Sequence, residues 1–131
     1  MIAITGSGEY LTGMLNADAK LLSKIKGRPN VLSFPTAAGK EGSSRIDYWC
    51  DLATTHFSNF DVDHKNMKAL KHNDFFDDNL LKEVKKANFI YFSGGNPTYL
   101  YETIKNTRNY LNKLAKKRNM SWDNLWSDLP V

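Results

Sequence analysis

The stretch Tyr91-Phe92-Ser93-Gly94-Gly95-Asn96-Pro97-Thr98 decides the fold. It begins at the end of an apolar run, residues 87–92, which predicts a buried strand. Pro97 then suits the first turn of a helix. A strand, a tight loop and a helix in this order are typical of α/β proteins, which bind ligands at such junctions.

The loop itself favours a negatively charged ligand. Gly94 and Gly95 allow the backbone to approach a bound group, because they carry no Cβ. The N–H groups of the turn and of the following helix attract a carboxylate, a phosphate or a developing oxyanion. The same sequence also suits a plain connecting turn, and the loop alone does not decide between the two.

Strands and helices alternate on the N-terminal side of this junction, and further helix follows it. Strands are predicted at 2–5, 31–34 and 87–92, with weaker candidates at 60–63 and 67–70; helices are predicted at 16–26, 43–57, from Asp77 onward, 97–107 and 110–117. This order predicts a Rossmann-like α/β fold, a mostly parallel sheet flanked by helices on both faces. Three loops, 6–9, 35–40 and 93–98, are then expected at one edge of the sheet, where ligands bind.

Size and composition restrict the class of protein. The 131 residues predict a single domain, 1–131, and 41% hydrophobic with 24% charged residues is ordinary for a soluble globular protein. The net charge of +4 is mild, and no aromatic platform accompanies the basic residues, so no nucleic acid partner is expected. Neither a leader nor a membrane span is recognisable, which predicts a cytoplasmic protein with no membrane partner.

The sequence contains no complete motif for a cofactor or a metal. Gly6-Ser7-Gly8 lacks the third glycine of a dinucleotide fingerprint, since Leu11 stands there. A flavodoxin-like nucleotide binder is the weaker alternative that this motif leaves open. His56, His64 and His72 have no cysteine or carboxylate at ligand spacing, so neither a cofactor nor a metal is expected.

Three segments taken together resemble a known family. They are Ile4-Thr5-Gly6-Ser7-Gly8-Glu9-Tyr10, Phe34-Pro35-Thr36-Ala37-Ala38-Gly39 and Ile90-Tyr91-Phe92-Ser93-Gly94-Gly95-Asn96-Pro97. In this order they resemble the N-terminal half of the dipeptidase E and cyanophycinase family of serine peptidases, whose fold is like that of class I glutamine amidotransferases. The resemblance covers about residues 1–115 and leaves 116–131 as a divergent tail.

The resemblance implies a serine peptidase that hydrolyses short peptides, aspartyl peptides above all. A small peptide or an acidic small molecule would be its ligand. The backbone N–H groups of Gly94 and Gly95 would contribute to the oxyanion hole. Four further residues would shape the rim of the site: Gly8, Glu9, Thr36 and Asn96.

The departure from the family concerns the catalytic residues. The family's nucleophile lies in a Gly-x-Ser-Ala-Gly-Ala turn after a helix that ends near Ala115 here, and no glycine follows Gly95 in this chain. Ser121 lacks the small neighbours that such a sharp turn needs. The family's catalytic histidine and its carboxylate partner lie further on. The chain is therefore expected to be truncated, to contain no catalytic residues and to be inactive alone.

Another class of function stays open. The chain also suits a non-catalytic binding or regulatory module that recognises a small acidic ligand or a partner. In the tail, Trp122, Leu125, Trp126 and Leu129 form an apolar stripe at helical spacing. The stripe either packs against the sheet or docks a partner, and a homo-oligomer could form through it or through an open sheet edge.

Overall fold

The computed structural model describes residues 2–4, 9–104 and 107. Strands and helices alternate along these residues. The elements are β1 (Ile2–Ile4), α1 (Leu15–Ser23), β2 (Asn30–Phe34), α2 (Ser43–Phe57), β3 (Asp63–Asn66), α3 (Asp78–Lys86), β4 (Phe89–Phe92) and α4 (Pro97–Ile104). Gly8, the Trp122/Trp126 stripe and the tail 116–131 lie outside the described residues.

The four described strands form one parallel sheet in the order β1-β4-β2-β3. β4, the last of the described strands, therefore lies between β1 and β2. Val31 of β2 is level with Phe89 of β4, and Phe34 is level with Phe92. This register brings the carboxyl ends of β2 and β4 to the same level.

Helices cover both faces of the sheet, because side chains alternate along each strand. Leu32, Phe34, Ile90 and Phe92 point to the face covered by α3 and α4. Val31, Phe89 and Tyr91 point to the opposite face, covered by α1 and α2. The predicted α/β architecture, a parallel sheet with helices on both faces, is confirmed.

Two helices begin where the sequence predicts them. Helix α2 spans the predicted residues 43–57 and follows Gly42, which has φ +93°. Asp77 caps α3 as its predicted start, since its carboxylate accepts hydrogen bonds from the N–H groups of Asn79 (2.8 Å) and Leu80 (3.1 Å).

The third strand lies where the sequence did not predict it. The strand is the polar segment Asp63–Asn66, which shares only Asp63 with the candidate 60–63 and no residue with the candidate 67–70. It pairs with β2 alone and forms one edge of the described sheet. An edge strand with one solvated face needs little apolar side chain, so its hydrophobic pattern is weak.

One helix presents an unexpected residue to the core. The helical spacing of Ala19 and Leu22 in α1 predicts that both face the core, but Ala19 is exposed and Asp18 is fully buried. Within the residues that the structure describes, no helix has the length and apolar character needed to cross a bilayer.

Candidate functional site

The predicted loops meet at the carboxyl edge of the sheet. The N–H of Asn96, after β4, donates to the carbonyl of Ala37, after β2, at 2.9 Å. The carboxylate of Glu9, on the segment after β1, lies against Gly94. Because β4 lies between β1 and β2, it brings three loops that are distant in sequence into one place.

Gly95 occupies a position that only glycine fits. Its φ is +149°, and a Cβ there would lie 2.5 Å from the carbonyl carbon of Ala37. The loop after β4 thus lies directly on the backbone of the loop after β2. Gly95 itself is exposed, so the outer side of this junction remains open to a ligand.

The backbone of the loop is suited to hold negative charge. No described residue accepts a hydrogen bond from the N–H of Gly94 or Gly95. Asn96 is exposed and caps α4, because its side-chain oxygen accepts from the N–H of Tyr99 at 3.0 Å. Two backbone donors beside a helix N-terminus make a site for a carboxylate or an oxyanion.

Glu9 brings a carboxyl group to this junction. Its side chain is enclosed, with 3% of the residue exposed, and its Oε1 has no hydrogen-bond partner. A Cβ at Gly94 would lie 2.9 Å from that oxygen. The absence of a side chain at Gly94 therefore makes room for the carboxylate.

Thr36 lies beneath the junction rather than on its surface. It is fully buried, and its hydroxyl donates to the carbonyl of Ala69 at 2.6 Å. The side chain therefore supports the loop after β2 and does not reach the rim that the resemblance assigned to it.

Tyr10 fixes the position of Glu9. It is a buried residue at φ +63°, a conformation uncommon outside glycine. Its ring lies 4.9 Å from that of Tyr91 and 5.7 Å from that of His56. Burial raises the pKa of the Tyr10 hydroxyl far above its ordinary value, partly opposed by Ser33 and Ser93, so it remains neutral.

A buried contact between a carboxyl group and an imidazole lies under Tyr10, and no local sequence pattern predicts it. Asp18 Oδ2 and His56 Nε2 are 2.6 Å apart, and both side chains are 1% exposed. Burial raises the pKa of Asp18, while the hydrogen bond and charge of His56 oppose that rise. The partners are separated by 38 residues and lie on different helices, so only the packing of α1 on α2 brings them together.

Ser33, Ser93 and Cys50 are enclosed, so none of these three presents an accessible nucleophile. Ser33 Oγ lies 2.8 Å from His64 Nε2, but Ser33 is a strand residue with 2% exposure. Ser93 is also buried, and its hydroxyl donates to the carbonyl of Phe34. Cys50 is buried, and burial raises the pKa of its thiol, which disfavours the reactive thiolate.

A groove of about 570 Å³ lies elsewhere, beside α3 and the segment after β3. Its lining includes Met67, Phe76 and Leu80, and none of the predicted site residues. The loop junction is the better candidate for chemistry, because it combines backbone donors with a buried charge. In the part of the chain that is described, no three His, Cys, Asp or Glu side chains cluster as metal ligands.

One solved structure is similar to this chain. The crystal structure of a peptidase from an acI-B1 Actinobacterium matches it with a TM-score of 0.72 and 34% sequence identity. The match covers 79% of this chain and 43% of the peptidase, so this chain spans less than half of that protein's length. The α/β fold is thus that of a peptidase-like protein. No protein-family profile and no curated protein sequence matches the chain.

Proposed function

We propose that this chain supplies the substrate-binding and oxyanion-stabilising part of a serine-type peptidase that hydrolyses short aspartyl peptides. The observation that carries the proposal is the loop junction, where the backbone N–H groups of Gly94 and Gly95 have no described acceptor and precede the start of α4. The likeness to a solved peptidase supports the same reaction class. We infer that the chain derives from the dipeptidase E and cyanophycinase family, and that this origin explains both the loop junction and the likeness to the solved peptidase.

The chemistry assigned to the loop is electrostatic. Attack on a peptide carbonyl places a negative charge on its oxygen, and preorganised N–H donors stabilise that charge. Losing one such donor typically raises the barrier by about 3–4 kcal/mol. Gly95 holds the loop in register with Ala37, so the donors need no rearrangement when the charge develops.

The nucleophile and its base are proposed to come from polypeptide outside the described residues. Ser33 and Ser93 are both enclosed, and the loop junction contains no histidine. This chain alone is therefore expected to bind an aspartyl dipeptide without hydrolysing it.

The coding DNA beyond the codon for Val131, read in all three frames, tests the proposal. We expect a Gly-x-Ser-Ala-Gly-Ala sequence and a later histidine. The joined polypeptide should then release aspartate from L-Asp-L-Leu, and Gly95→Val should lower kcat at least about a hundredfold. Gly13→Val is the matched control, because a Cβ at Gly13 meets no atom within 4 Å.

Two results would count against the peptidase. Rapid hydrolysis by the 131-residue chain alone would show that the nucleophile has been misplaced. An absence of the turn sequence in every frame, together with dipeptide binding by the chain, would instead favour a non-catalytic module for a small acidic ligand.

A further inference from the structure

The side chain of Glu9 is enclosed at the loop junction, against the backbone of Gly94. Its Oε1 is enclosed and has no hydrogen-bond partner, although 97% of the residue surface is removed from water. None of the described ion pairs includes it. A buried carboxylate oxygen without a hydrogen-bond partner is costly for the fold, because it loses its hydration.

The fold holds this carboxylate in one place. Tyr10, the next residue, is fixed at φ +63° by the surrounding rings of Tyr91, His56, Phe57 and Trp49. On the other side, the bare backbone of Gly94 lies against the carboxylate. A costly charge that is held rigidly against a candidate site is typical of a group that meets its partner in the ligand.

We propose that Glu9 binds the free α-ammonium group of the peptide substrate and so restricts the site to unblocked N-termini. This rests on the proposed function, in which the scissile carbonyl oxygen lies at the N–H groups of Gly94 and Gly95. In an N-terminal residue, the α-nitrogen is joined to that carbonyl carbon through a single carbon atom. A carboxylate beside Gly94 is therefore placed for the ammonium of the same residue.

The charge arrangement supports an ammonium over other ligands. A carboxylate this close to an oxyanion would oppose the reaction, unless a positive group of the substrate lies between them. An α-ammonium supplies that charge and up to three N–H donors for the carboxylate oxygens. An acetylated N-terminus has neither the charge nor the donors to offer and leaves Glu9 unpaired.

Calorimetric titration of the full chain with L-Asp-L-Leu and with N-acetyl-L-Asp-L-Leu tests the assignment. The free dipeptide should bind at least about tenfold more tightly than the acetylated one, because the acetylated one leaves a buried charge unpaired. Glu9→Gln should abolish this preference by weakening binding of the free dipeptide. Glu41→Gln, which removes an exposed carboxylate, is the matched control and should keep the preference.

The outcomes separate the two proposals. Equal binding of the two peptides by the unaltered chain would overturn the role of Glu9 and leave peptide binding intact. Binding of neither peptide would overturn the role of Glu9 together with the proposed function. The melting temperature of unliganded Glu9→Gln should equal or exceed that of the parent chain, and a fall of several degrees would show instead that the carboxylate serves the fold.

Discussion

The two faces of the sheet differ in the kind of side chain that they bury. The face toward α3 and α4 buries a cluster of apolar side chains, with Phe34 stacked on Phe92 at 5.1 Å and on Phe75 at 5.9 Å. The face toward α1 and α2 encloses polar pairs, Asp18 with His56 and Ser33 with His64. Apolar packing tolerates changes of shape that keep volume, whereas a buried polar pair tolerates the loss of neither partner.

The largest expected effect is on the polar face. Asp18→Ala removes one partner of a buried pair and leaves His56 Nε2 without an acceptor. We expect the free energy of unfolding to fall by about 3–5 kcal/mol, measured by urea denaturation. Asp51→Ala, at an exposed position of α2, is the control and should change it by less than about 0.5 kcal/mol.

A double substitution sharpens this comparison. Asp18→Leu combined with His56→Phe replaces both partners by apolar groups, so no polar atom of the pair is left unsatisfied. The double variant should lose less stability than Asp18→Ala alone. If it loses more, the polar face is held by something other than the pairing of these two groups.

The next effect depends on pH and concerns His64. Burial, and secondarily the charge of His56, lowers the pKa of His64 to about 4 from its ordinary value of 6.5. Between these values the unfolded chain binds a proton that the folded protein does not, so stability falls as the pH falls through this window. Because the ring is partly exposed, we expect a loss of about 1–2 kcal/mol.

Urea midpoints measured from pH 7 to pH 4 check the role of His64. His64→Gln should reduce the decrease of the urea midpoint between pH 7 and pH 4, because glutamine does not titrate. His72→Gln is the control and should retain it. An equally steep fall in His64→Gln would assign the pH dependence to other groups.

The smallest effect is expected on the apolar face. Ile90 lies in β4 with 2% exposure, packed among side chains of the same kind. Ile90→Val removes one methylene group and should lower the free energy of unfolding by about 0.5–1.5 kcal/mol. A loss as large as that of Asp18→Ala would remove the contrast between the two faces.

Local signals predicted much of the fold. Helix α2 has the predicted bounds, Asp77 caps α3, and α4 begins at Pro97. These features depend on residues a few positions apart, so the sequence displays them directly. Strand β3 was missed because its pairing with β2, rather than its own composition, makes it a strand.

The candidate site could be predicted only in part. The Gly94-Gly95-Asn96 turn was visible as a loop that favours anions, and the sheet places it against Ala37 as the topology required. The enclosure of Glu9 against Gly94 was not visible, since it depends on how the segment after β1 packs under the loop after β4. The burial of Thr36 was missed for the same reason, because its partner Ala69 is 33 residues away.

The sequence by itself determined the alternation of strands and helices and the glycine turn after β4, because periodicity, caps and turn residues act over short distances. Only the tertiary structure decided which polar groups are enclosed. It paired Asp18 with His56 across two helices and left one carboxylate oxygen of Glu9 without a hydrogen-bond partner at the loop junction. Burial and pairing depend on contacts between distant segments. A polar side chain that is hydrated at the surface loses this solvation free energy when it is buried in a core.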